Sequence, residues 1–206
     1  MKERPILFSG PMVRAILVGR KTMTRRVIKN QDVCRFLEPP YMKQINELYE
    51  DIIINQCPYG SAVSQDRVWV RETWKPDNTF KGGGIPRLGI TWGEGCIWKE
   101  GYCDQYGPWK PSIFMPRWAS RITLEITNVK VERLNSITAH DVEKEGVDVV
   151  SHLPAFPNCP KDEIGDLVEH IAQQQFQKLW DSINGKKYTW ASNPWVWVIS
   201  FRRLVA

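Results

Sequence analysis

Residues 19–26 read Gly-Arg-Lys-Thr-Met-Thr-Arg-Arg. The preceding residues 11–18 have the pattern of a short helix, with Pro11 in its first turn and Gly19 suited to a left-handed end. Directly after this helix the chain presents an amine, two hydroxyl groups and a pair of guanidinium groups. We therefore predict a turn that carries functional groups. A solvated basic turn that compensates the helix dipole is the alternative.

Four positions of this stretch follow the spacing Gly-x-Lys-x-x-Thr-x-Arg: they are Gly19, Lys21, Thr24 and Arg26. This spacing resembles the motif of the ASCH family, whose members are small relatives of PUA-like RNA-binding barrels. The likeness continues, in the family's order, through patches at residues 66–70, 134–146 and 195–201.

The resemblance implies one ASCH/PUA-like domain over residues 1–206, of the kind found in phages and prophages. Its expected fold class is α+β, a small and mostly antiparallel PUA-like β-barrel with peripheral helices and long insertions. The insertions are expected near residues 30–60, 75–116 and 150–175.

Hydrophobic periodicity, read separately from the resemblance, also predicts a mixed chain. Strands are predicted at residues 6–8, 67–73, 121–133 and 195–201, and helices at residues 11–18, 41–55, 138–145 and 160–183. The alternation in the third strand slips near Thr127-Asn128, which indicates a β-bulge. A doubly wound sheet is not favoured, because neither helices nor a glycine fingerprint recur at βαβ intervals.

Residues 75–116 contain eight glycines and five prolines, a composition that predicts a long loop or an irregular hairpin. Such a segment can be a lid over a site or a plain surface decoration. Three tryptophans within it, Trp92, Trp98 and Trp109, are candidates for stacking on a ligand. The tryptophans in predicted regular elements are instead expected in the core: Trp69, Trp180, Trp195 and Trp197.

The formal charge of +5 is concentrated near the motif, because residues 1–35 hold nine basic side chains. A local basic patch suits a nucleotide, a phosphate or a nucleic-acid backbone, while solvated basic residues without a ligand are the commoner case. We predict that Arg20, Arg25 and Lys29 bind nucleic acid. The expected partner is a modified nucleoside or a single-stranded nucleic acid.

The five cysteines are odd in number and include no Cys-x-x-Cys pair, so reduced thiols of a cytoplasmic protein are expected. We expect no signal peptide, no membrane span and no membrane partner, because no apolar run of the necessary length occurs. The three histidines lack metal-ligand spacing, and neither a metal nor another cofactor is predicted.

A threonine hydroxyl is a poor nucleophile unless a base takes its proton, and a lysine can be that base when its neutral amine is accessible. Lys21 and Thr24 fit this chemistry, since the neighbouring arginines Arg20, Arg25 and Arg26 disfavour the ammonium form of Lys21. Glu145 is the best candidate for a third, proton-carrying group. It ends a predicted helix, where a carboxylate opposes the dipole. A solvated helix-end glutamate is the alternative.

The resemblance assigns roles to these residues. Compact bacterial members of the family remove the acetyl group from N4-acetylcytidine, and the matching positions imply Thr24 as nucleophile, Lys21 as its base and Glu145 as proton partner. Arg26 would then hold the substrate or the developing oxyanion.

Glu72 and Trp74 are further candidates for substrate binding. A carboxylate can accept a hydrogen bond from the exocyclic amine of cytosine, and an indole can stack on the base. The alternative for Glu72 is an ion pair at the edge of the sheet with Arg71 or Arg117.

Three function classes follow. The first is a metal-independent amidohydrolase that acts on an N4-acylated cytosine nucleoside or a related modified base. The second is a noncatalytic protein that binds RNA, DNA or a modified base. The third is a ribonuclease, an activity that the wider ASCH family also includes.

Overall fold

The computed structural model describes residues 1–38, 43–63, 65–76, 96–100, 108–149 and 161–204. Seven strands lie in this part of the chain: β1 (Glu3–Leu7), β2 (Met23–Val27), β3 (Arg67–Arg71), β4 (Trp74–Pro76), β5 (Cys96–Trp98), β6 (Thr123–Arg133) and β7 (Trp195–Leu204). Four α-helices accompany them: α1 (Gly10–Leu17), α2 (Lys43–Asn55), α3 (Ala139–Lys144) and α4 (Lys161–Asn184). The predicted α+β class is therefore confirmed.

The main sheet has five strands in the order β1-β3-β6-β7-β2. The β1–β3 pair is parallel and the other three pairs are antiparallel. Strands β1 and β2 are the edges. Among the described strands no backbone ladder joins these two edges, so the sheet is not closed into the barrel that the resemblance implies.

Strand β7 is covered on both of its faces. On one face, Trp197 and Ile199 pack with the inward residues of β1, β3 and β6 under α1 and α2. On the other face, Val196 and Val198 pack against α3 and α4. A strand covered on both sides needs a continuous apolar run rather than alternation, and Trp195 to Ile199 supplies one.

Several local predictions are confirmed. The ladder between β6 and β7 shifts register between Ile126 and Asn128, where the bulge was expected. At the start of the helix predicted over 138–145, Thr138 caps α3 by accepting a hydrogen bond from the Asp141 backbone N–H at 3.2 Å. Gly19 has a φ of 78°, the left-handed conformation that ends α1.

The sequence predicted that the motif is a turn, and this is wrong for most of it. Residues 23–27 form the edge strand β2, in which Thr24 lies opposite Ile199 and Arg25 opposite Val198. Two consecutive arginines have little intrinsic preference for a strand, but pairing with the apolar β7 imposes the conformation. Because side chains alternate along a strand, Thr24 and Arg26 share one face, and Arg25 lies on the other.

The predicted long loop contains a short antiparallel sheet, in which β4 pairs with β5. Its residues form a separate small cluster with Met115 and Ala119, in which Trp98 is buried. Residues 77–95 and 101–107, which include Trp92, and residues 150–160 lie outside the described part. No helix within the described ranges is both long and apolar enough to cross a bilayer.

Candidate active site

Lys21 and Glu145 form a buried pair, although 124 positions separate them in the chain. Lys21 Nζ donates hydrogen bonds to Glu145 Oε2 at 2.7 Å, to the Glu145 main-chain oxygen at 2.7 Å and to the Met23 main-chain oxygen at 2.8 Å. The Lys21 side chain has no exposed surface. An ammonium has three N–H donors, and here three acceptors receive them, so this geometry fits the charged form of Lys21.

Burial lowers the pKa of Lys21 from its ordinary value of 10.5. The Glu145 carboxylate opposes this effect, and the guanidinium groups of Arg26 and Arg25 add to it more weakly. The sequence anticipated a disfavoured ammonium from its arginine neighbours. In the structure, removal of Lys21 from water is the largest cause of its lowered pKa. Arg20, which is exposed, is not among the causes.

Gly146 allows this pair to form. It ends α3 with a φ of 87°, a conformation that glycine adopts without strain. A Cβ at this position would lie 2.8 Å from Ala15 Cβ and 3.0 Å from Lys21 Cβ. The end of α3 therefore reaches α1 and Lys21 closely enough for Glu145 to contact the lysine amine.

Arg25 lies on the side of β2 that faces α3, and its side chain is fully buried. Its Nη2 atom is 2.7 Å from Asp141 Oδ2 and 3.3 Å from Glu132 Oε2, and its Nη1 atom is 3.6 Å from Glu145 Oε1. These carboxylates engage the guanidinium, which has no surface to offer a phosphate. The structure thus places Arg25 beneath the site, and the nucleic-acid contact predicted for it does not fit.

The motif opens onto a cleft with a volume of about 420 Å³. Thr24, Arg26 and Glu145 supply polar groups to its lining, and Arg25 borders it with a side chain that has no exposed surface. The Thr24 hydroxyl makes no hydrogen bond to any part of the chain that the structure describes. Lys21 does not line the cleft itself, but its amine is bonded to Glu145, which does. Thr24, Arg26 and Glu145 thus line one cleft, with Lys21 bonded to Glu145, and their catalytic roles stay predictions.

Arg26 is held by three neighbours. Its Nη2 donates to the Leu7 main-chain oxygen at 2.7 Å, which links the two edge strands through a side chain. Its guanidinium carbon lies 5.3 Å from the Phe8 ring centre and 5.9 Å from that of Tyr59. Cations within about 6 Å of an aromatic face are attracted by the ring quadrupole. Arg26 therefore presents a fixed positive charge to the cleft.

The opposite wall of the cleft is apolar and was not foreseen from the sequence as part of a site. It comes from the end of β1, from α1 and from the last turns of α4: Phe8, Met12, Phe176, Leu179, Trp180 and Ile183. Helical periodicity correctly indicated that α4 has a buried face. Periodicity does not reveal which part of that face borders a cavity, so Trp180 was expected only in the core.

Glu72 and Trp74 do not line this cleft. Glu72 is buried and accepts two hydrogen bonds from Arg121, from Nε at 3.0 Å and from Nη2 at 2.8 Å. Its partner is therefore neither Arg71 nor Arg117. Burial raises the pKa of Glu72, and Arg121 opposes that rise. Trp74 is buried in the small cluster around β4 and β5. Both residues contribute to packing of that cluster rather than to the cleft.

Other candidates lie at the surface or pack elsewhere. Arg20 and Lys29 are exposed on either side of β2. Trp98 donates from Nε1 to the Ala119 main-chain oxygen at 2.7 Å inside the small cluster, so it is not free to stack on a ligand. Trp109 is half-buried, with the Lys75 amine 5.5 Å from its ring centre. Cys34 and Cys57 are free, buried thiols, and Cys96 is buried in the small cluster.

In the described ranges, no three His, Cys, Asp or Glu side chains come together as metal ligands. Comparison of the chain with protein-family models, curated proteins and solved structures finds no match. The ASCH resemblance therefore stays a prediction that rests on the motif and its companion patches.

Proposed function

We propose that the protein is a metal-independent amidohydrolase that removes the acyl group from an N4-acylated cytosine nucleoside or a related modified base. The observation that carries this proposal is the buried Lys21–Glu145 pair, 2.7 Å between Nζ and Oε2, behind a cleft that also contains Thr24. A buried acid and amine in contact can exchange a proton, and a hydroxyl in the same cleft lining is the group that such a base would activate as a nucleophile.

In the proposed reaction, Thr24 Oγ1 attacks the acyl carbonyl carbon and its proton goes to Lys21. Lys21 can accept that proton only after it passes one of its own to Glu145 Oε2, because its three hydrogen bonds fit an ammonium, which has no lone pair. Burial, which lowers the pKa of Lys21, reduces the cost of that transfer. Glu145 then protonates the leaving N4 amine, and water hydrolyses the acyl-threonine ester to release the carboxylic acid.

Arg26 suits the oxyanion of this reaction, because its guanidinium is fixed by Leu7 and two aromatic rings before any substrate arrives. Preorganised cations and donors at the developing charge are usually the largest contribution to such catalysis. The volume of about 420 Å³ lies within the range of small-molecule sites, and the apolar wall would take the flat face of a base.

A second candidate is noncatalytic binding of a modified base in the same cleft. The engagement of all three Lys21 N–H groups favours it, because an ammonium with no vacant position holds structure rather than accepting a proton.

Incubation with N4-acetylcytidine, followed by chromatographic measurement of cytidine and acetate, tests the proposal. Thr24→Val keeps the shape of the side chain, and it removes no hydrogen bond that the described structure contains. We expect it to lose turnover by about a thousandfold or more, as loss of a nucleophile does. Thr22→Val, in the same segment, is the matched control and should retain activity. Absence of turnover in the wild type, with saturable binding by calorimetry, would establish the second candidate instead.

A further inference from the structure

A second cavity, with a volume of about 330 Å³, lies beside the cleft. Its base is apolar and buried, formed by Ile28, Ile53 and Trp197, and Tyr59 contributes an aromatic ring. Lys29, Asn30 and Gln56 lie at its exposed edge. This combination of an aromatic ring, amide groups and a cation is the set with which proteins bind a nucleotide.

The polar groups at this edge are available. Within the part of the chain that the structure describes, Lys29 makes no ion pair, and the side-chain amides of Asn30 and Gln56 make no hydrogen bond to protein. An amide presents both a donor and an acceptor, so it can read the edge of a base, and an ammonium can neutralise a phosphate.

Arg26 connects the two cavities. It lines the cleft, and its guanidinium contacts both Phe8, which also lines the cleft, and Tyr59, which lines the second cavity. The next three residues of the chain, Val27, Ile28 and Lys29, continue along the second cavity. A ligand that passes over Arg26 would therefore leave one cavity and enter the other.

We infer that the second cavity binds the nucleotide next to the modified one, so that the substrate is a single-stranded oligonucleotide rather than a free nucleoside. The neighbouring base stacks on Tyr59 and is contacted by Asn30 and Gln56, and the phosphate between the two nucleotides lies near Arg26 and Lys29. This inference rests on the proposed function for the identity of the base in the cleft, and it adds the substrate class.

The test compares kcat/KM for N4-acetylcytidine with kcat/KM for a ribotrinucleotide that carries N4-acetylcytidine at its centre. We expect the trinucleotide to be preferred by about tenfold or more, the scale of one stacked base. Lys29→Ala and Gln56→Ala should each reduce that preference severalfold. Lys178→Ala, a lysine exposed on α4, is the control and should leave both values unchanged. Equal kcat/KM for the two substrates in the wild type overturns the inference and leaves the proposed function intact.

Binding of a fluorescein-labelled trinucleotide with unmodified cytidine, measured by anisotropy, separates the two ideas. If neither substrate is hydrolysed, the proposed function fails, and the binding measurement alone decides whether the second cavity is a nucleotide site. Affinity that falls with salt and weakens in Lys29→Ala, but not in Lys178→Ala, supports the second cavity as a nucleotide site. Affinity that is absent, or equal in the two variants, overturns it.

Discussion

Lys21 Nζ lies 2.7 Å from both the carboxylate Oε2 and the main-chain oxygen of Glu145, so a single residue at the end of α3 supplies two of the three acceptors of a buried amine. The main-chain contact depends on where α3 ends, and the carboxylate contact depends on the side chain. The position of Lys21 is thus tied to the C-terminal end of a six-residue helix. Substitutions at this site should therefore change the free energy of unfolding and the turnover together.

Removal of one partner of this pair should be costly. Lys21→Met leaves the Glu145 carboxylate buried without its cation, and we expect the free energy of unfolding to fall by about 3 to 5 kcal/mol. Lys21→Met combined with Glu145→Leu should be less damaging than the sum of the two single changes, because no unpaired charge remains. Urea denaturation of the four proteins measures the coupling. Arg117→Met, which breaks the exposed Arg117–Glu3 pair, is the control and should cost less than about 1 kcal/mol.

Gly146 and Gly19 form a natural pair for testing close packing at the site. Both have positive φ, 87° and 78°, but a Cβ on Gly19 would meet nothing within 4 Å, while one on Gly146 would press on Ala15 and Lys21. Gly19→Ala should cost only the strain of a left-handed residue, about 1 to 2 kcal/mol. Gly146→Ala should cost more and should also impair turnover. Equal losses of stability in the two variants would mean that the backbone at Gly146 relaxes freely.

Arg25 should behave as a structural residue, in contrast to Arg20. Arg25→Met removes the cation that bridges Asp141 and Glu132, and we expect a loss of about 3 kcal/mol or more in the free energy of unfolding. Arg20→Met changes an exposed side chain and should leave stability within about 0.5 kcal/mol of the wild type. Thermal denaturation and oligonucleotide binding should be measured on both variants. Weaker binding per folded molecule in Arg25→Met, with unchanged stability, would restore the surface role predicted from the sequence.

The contrast between these two arginines shows how far the sequence could lead. The motif identified Lys21, Thr24 and Arg26, because their spacing is local. Which side of the backbone each one occupies depends on β2 pairing with β7, a contact between distant parts of the chain that no local pattern records. The burial of Arg25 follows from that pairing, since its cross-strand neighbour Val198 faces α3 and α4.

The bulge and the helix ends were predictable for the opposite reason. A slip in alternation near Thr127-Asn128 and a Thr-x-x-Asp start at Thr138 are recorded in a few adjacent residues. Barrel closure is a property of the whole sheet. The implied barrel required the edge strands β1 and β2 to meet, whereas the described strands are connected there only by the Arg26 side chain and the Leu7 carbonyl.

Trp98, within the segment 75–116 that could form a lid, and Trp118, just after that segment, allow a direct comparison of packing with exposure. Trp98 is 1% exposed within the small cluster, whereas Trp118 is 57% exposed. Trp98→Ala should lower the free energy of unfolding by about 3 to 5 kcal/mol, as truncation of a large buried side chain does. Trp118→Ala should change it by less than about 1 kcal/mol. A Trp98 variant with normal stability but weaker ligand binding would instead support a lid.

Glu72 should produce a stability difference with a definite dependence on pH. Its folded pKa is raised from the ordinary value of 4.5, mainly by burial. Below pH 4.5 the group is protonated in both states. As the pH rises above 4.5 the unfolded chain releases the proton first, so the contribution of Glu72 to stability declines until the pH exceeds its folded pKa.

The measurement is urea denaturation of the wild type and Glu72→Gln from about pH 3 to about pH 8, since glutamine keeps the shape and does not titrate. The wild-type free energy of unfolding minus that of the variant should decrease as the pH rises above 4.5. Glu3→Gln is a control of opposite sign, because the hydrogen bond from Arg117 lowers the pKa of Glu3 and its contribution is lost as the pH falls below 4.5. A difference for Glu72 that increases with pH would mean that the Arg121 ion pair outweighs burial.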